Sequence, residues 1–196
     1  MFDKLDADPA VKAGTRGKLA VQHLTDIERD RTLGKLGDIT GYVHLEPELR
    51  QFLGDHPEPE RNVFIMMRFK DTPQLRELRG AITNTLAVHG LTGLRADDRE
   101  YHSDLWSNVV VYMLGCKYGV AAFEDFEVRD HNPNIALELG FMRALRKRCL
   151  ILKERTLPAL PTDIVGALYK DFGKFDIEKT TSEQVLRWIE VDLGLT

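Results

Sequence analysis

From Val63 onward, short apolar runs alternate with amphipathic segments. Val63-Phe64-Ile65-Met66-Met67 has no polar position, the pattern of a strand covered on both faces. Leu75, Leu78, Ile82 and Leu86 recur at helical spacing and predict a helix over 72–89, which Gly90 stops. A short strand is expected at 91–95. Beyond it, Ser103 or Asp104 can cap a helix carrying Leu105, Val109, Tyr112 and Met113. Tyr118–Phe123 reads as a third strand, Cys149–Leu152 as a fourth, and 172–175 as a last. The turn-rich passage from Leu157 to Asp163 leads to an expected short helix. Thr181 and Gln184 have capping-box spacing and open a final helix with Val185, Ile189 and Leu193 on one face. This order predicts an α/β protein: a flavodoxin-like three-layer fold around a parallel sheet of roughly five strands.

Upstream the pattern is weaker. Leu19, Leu24, Ile27 and Leu33 lie in a charged stretch that Gly34, Gly37 and Gly41 interrupt. Residues 45–53 fit one short helix. The polar, proline-bearing His56-Pro57-Glu58-Pro59-Glu60 marks a boundary, giving a mostly helical N-terminal extension at 1–58 and an α/β domain at 59–196. The extension offers a surface for a protein partner or for self-association.

Composition narrows the function. With 43% hydrophobic and 30% charged residues the chain is an ordinary globular protein, and its net charge of -4 leaves no footprint for nucleic acid. No apolar run approaches the roughly 18–20 residues that cross a bilayer, and the first residues lack the apolar core of a signal peptide. Cys116 and Cys149 lie in apolar surroundings, as inert thiols in a reducing compartment do, so a cytoplasmic protein is expected. The six histidines show no zinc-binding spacing, and no metal is expected. His89 reads as a helix-end residue and His131 as a solvated loop residue. There is no nucleophile elbow and no glycine-rich phosphate loop, which argues against a serine hydrolase and a P-loop nucleotidase.

Most of the chemistry gathers in Asn132-Pro133-Asn134-Ile135-Ala136-Leu137-Glu138-Leu139-Gly140. Pro133 suits a first helical position and Asn132 can cap the free amides. Such a helix end seats anions. Asn134 and Glu138 are four apart and share a face. Glu138 stands among Ile135, Leu137, Leu139, Phe141 and Met142, so it must pair, face a cleft, or carry a raised pKa. The bland reading pairs it with Arg143 or Arg146 in solvent. Arg143, Arg146, Lys147 and Arg148 then complement the dipole at the end of this helix. In a flavodoxin-like sheet, ligands bind beyond the carboxyl ends of the strands. Arg68, Phe69 and Lys70, then Arg95, Asp97 and Asp98, then Glu124 and Asp125 would converge there with Asn132, Asn134 and Glu138.

Phe64-Ile65-Met66-Met67, Arg95-Ala96-Asp97 and the Asn132–Gly140 motif resemble the TIR-like families of bacterial effectors and the related nucleoside 2-deoxyribosyltransferase-like proteins, over roughly residues 62–176. The resemblance implies a flavodoxin-like fold and a bacterial defence or signalling effector that assembles as a homo-oligomer. It implies hydrolysis of the nicotinamide–ribose bond of NAD, with NAD as substrate and no cofactor. It places the catalytic role on Glu138, with Arg68, Phe69, Asp97, Asn132 and Asn134 holding substrate. Arg68 would hold the diphosphate, and Phe69 or Tyr101 would stack on a ring. Related sequences usually carry proline and phenylalanine after the first strand, where this chain has Arg68 before Phe69. The resemblance also admits nucleoside 2-deoxyribosyl transfer, with the glutamate as nucleophile, or a non-catalytic nucleotide-binding module.

Overall fold

The computed structural model describes residues 33–36, 39–126, 132–158, 160 and 168–195. The chain divides into two compact units, Met1–Val43 and His44–Thr196. In the first, a 3-10 turn spans Gly34–Leu36; Leu19, Leu24 and Ile27 lie outside the described residues. The second contains β1 (Asn62–Met66), β2 (Thr92–Leu94), β3 (Tyr118–Phe123), β4 (Arg148–Glu154) and β5 (Lys170–Phe172). Its helices are α1 (Glu46–Asp55), α2 (Pro73–Val88), α3 (Leu105–Gly115), α4 (Pro133–Ala144) and α5 (Ile177–Arg187). The short helix expected after Asp163 lies outside the described residues.

The five strands form one wholly parallel sheet in the order β2-β1-β3-β4-β5, the flavodoxin-like order expected from the sequence. The pleat divides the strands between two faces. Val63, Ile65, Val120, Ala122, Leu150, Leu152 and Phe172 face α2 and α5, where Leu78, Ile82, Val185 and Trp188 complete a core. The other face is covered by α3 and α4, and α1 packs on α3. There the rings of Phe52, Tyr101 and Tyr112 stand 5.2–5.6 Å apart, mostly edge-on, and Tyr112 reaches Phe64.

Two element bounds are corrected, and the unit boundary lies ahead of the hinge. The large unit begins at His44, ahead of the Pro57–Pro59 hinge, because Leu49, Phe52 and Leu53 bury α1 against α3. The last helix starts at Ile177 after Asp176, and Thr181 lies buried within it. Burial of Ile177 on the core fixes that start in place of capping-box chemistry. The last strand is Lys170–Phe172, short of the 172–175 segment, since Gly173 turns the chain and Phe175 is exposed.

Candidate functional site

Each strand end hands its loop a set of charged side chains, and the fold commits most of them to one another. After β1, Arg68 donates to Glu124, which follows β3, at 2.7 Å. The pair spans the carboxyl ends of the two central strands, where the crossovers diverge. Glu124 is almost wholly buried and also accepts from the Phe126 amide. Arg68 thus has a buried carboxylate as partner. After β2, Arg95 pairs with Asp97 and lies 5.6 Å over the Phe69 ring. Asp98 pairs with Arg79 and accepts the Arg95 amide.

The loop from Ala96 to Ser103 makes a cleft of about 400 Å³ together with Phe69, Leu105 and Asn108. Asn108 was not singled out in the sequence, yet it builds this wall. It is buried, its Oδ1 accepts the amides of Tyr101 and His102, and its Nδ2 donates to the Ala96 and Arg99 carbonyls. Tyr112 braces the same loop, accepting from the Arg99 amide and donating to the Arg99 carbonyl, both at 3.0 Å. A polar residue inside an otherwise apolar helix was the available signal for both. Tyr101 is buried between Phe52 and Tyr112 and its hydroxyl donates to Asp55 at 2.7 Å.

Asn132 caps α4 as expected, its Oδ1 accepting the Asn134 amide at 3.1 Å, and Asn134 itself is exposed. Ile135, Glu138, Leu139 and Met142 form the buried stripe of α4. A side chain at Gly119, near the start of β3, would meet the Met142 methyl. The helix runs back along the sheet, so Glu138 sits about 6 Å nearer the carboxyl ends of the strands. Glu138 is 8% exposed, and among the described residues it has neither a hydrogen bond nor an ion pair. Burial raises its pKa to about 7. The solvent pairing with Arg143 or Arg146 is thereby excluded. Glu138 is not on the wall of the 400 Å³ cleft; of the residues chosen from the sequence, Phe69 and Asp97 are. His131 lies outside the described residues.

Beyond β4 the structure adds a cluster that the sequence did not signal. Glu154 is buried and accepts from the Thr156 amide and hydroxyl at 2.6 and 2.5 Å. The Thr156 hydroxyl also lies 3.1 Å from Asp125. Burial pushes Glu154 up, but these donors hold it below the usual range. The two thiols match expectation: burial raises Cys116 to about 12 and Cys149 to about 11. Among the described residues there is no cluster of metal-ligating side chains, and no helix is long and apolar enough to cross a membrane.

No protein-family profile matches the chain, and no curated protein does. Among solved structures it is similar to a 2-deoxyribosyltransferase from the psychrotolerant bacterium Bacillus psychrosaccharolyticus. That likeness has 16% identity and a TM-score of 0.40, and it covers 60% of this chain and 90% of that one.

Proposed function

We propose that the protein breaks the N-glycosidic bond of a nucleoside, with Glu138 as the group that meets the anomeric carbon. One observation carries this reading: a carboxylate on the apolar stripe of α4 with no partner among the described residues. Burying such a group costs stability, which is the usual mark of a site held ready for chemistry. A carboxylate beside the sugar stabilises the oxocarbenium-like transition state of glycosidic cleavage.

The charges nearby favour a neutral nucleoside over a dinucleotide. Arg68 and Arg95 are neutralised by Glu124 and Asp97, which leaves them poorly placed to receive a diphosphate. In the proposed step, a Glu138 oxygen forms a bond to C1′ while the C1′–N bond breaks. The electron pair leaves with the base, which takes a proton from solvent. A second base nitrogen or water then attacks the glycosyl ester and frees the carboxylate.

The experiment is chromatographic detection of free base from 2′-deoxynucleosides and ribonucleosides, with NAD in parallel. Wild-type protein should release base, faster as pH rises through about 7, where Glu138 ionises. Glu138→Gln should be slower by at least about a thousandfold. Turnover of NAD alone would move the reading to NAD hydrolysis. Equal rates for wild type and Glu138→Gln would remove Glu138 from the mechanism.

A further inference from the structure

We propose that a second cleft, beside the amino-terminal half of β4, binds a small phosphorylated ligand. β5 pairs only with Leu152–Glu154, so among the described residues no strand flanks β4 from Arg148 to Ile151 on that side. A cleft of about 660 Å³ lies along this gap, within the range of small-molecule sites. Cys149, Leu150, Ile151 and Trp188 line it. Arg143 from α4, Arg148 from β4 and Lys170 from β5 bring three cations to it from separate elements.

These cations differ from the arginines of the preceding half of the domain. Each of the seven arginines from Arg50 to Arg99 is salt-bridged. Arg143, Arg148 and Lys170 make no ion pair among the described residues, in a protein of net charge -4. Asp192, on the same wall, forms no salt bridge with them. Guanidinium groups left without carboxylates suit phosphate oxygens, which they hold bidentately. Leu168 and Val191, both exposed, give the rest of the ligand an apolar surface. An added acidic strand fits less well, because Leu150 and Ile151 are buried and offer little free edge.

The test is calorimetric titration of the full chain with inorganic pyrophosphate and with ADP at low ionic strength. Saturable one-to-one binding is expected. The double variant Arg148→Gln/Lys170→Gln, and Arg143→Gln alone on an exposed helical turn, should each weaken it by about tenfold or more. Arg146→Gln, from the same basic run but outside the cleft, should stay within about twofold. Glu138→Gln should bind like wild type, which keeps this site separate from the proposed glycosidic one. The proposal falls if neither ligand saturates below about 10 mM. It also falls if the cleft variants bind unchanged, or if hexaglutamate binds more tightly than ADP and so marks a peptide site.

Discussion

At the scale of single residues, Glu138 makes a stability prediction independent of any substrate. Its pKa is about 7 in the folded protein and 4.5 unperturbed. Between those values the unfolded chain has released a proton that the folded chain keeps, so stability falls as pH rises, and the loss is complete above about 7. Glu138→Gln should therefore be more stable than wild type by about 3 kcal/mol at pH 8, with the difference vanishing near pH 4. Urea denaturation across that range checks it; a difference independent of pH would contradict the buried ionisable carboxyl. This residue was legible in the sequence because its neighbours are apolar. Lys147 was not. Sequence position made it a cation for the dipole of α4, but its Nζ donates to the carbonyls of Met113, Leu114 and Cys116 and so caps α3. That partner lies more than thirty positions away, and local pattern carries no trace of it.

Among the elements, strands and caps were read well wherever the signal is local. Asp104 accepts the Ser107 amide, and Gly90 takes the left-handed conformation that ends α2. The start of α5 was missed because long-range packing decides it. The junction of α1 with α3 depends on one missing side chain. A Cβ at Gly115 would come within 2.2 Å of the Phe52 ring. Gly115→Ala should cost about 1–3 kcal/mol, since the ring is fully buried and has little space to move into. Thermal denaturation reads this directly. A Phe52→Leu change in the same background should recover part of the loss, and failure to recover any would place the strain elsewhere.

For the whole molecule, the sheet order was legible from alternation alone, whereas the division of the chain was not. A proline-rich hinge looks like a boundary, but Leu49, Phe52 and Leu53 precede it and are buried. A fragment of residues 44–196 should fold cooperatively. A fragment of 59–196 should expose the rings of Tyr101 and Tyr112, bind a hydrophobic dye and lose its sharp melting transition. Equal cooperativity of the two would restore the boundary at 58. The strand order also shapes how the chain emerges during synthesis. β1 is made first but lies inside the sheet, pairing with β2 through Asn62–Thr92 and with β3 through Met66–Ala121. Both edges of its apolar run wait for sequence far downstream, and no hairpin shortens the wait. On the ribosome, Val63-Phe64-Ile65-Met66-Met67 is thus the segment most open to chaperone capture or to pairing with a neighbouring nascent chain.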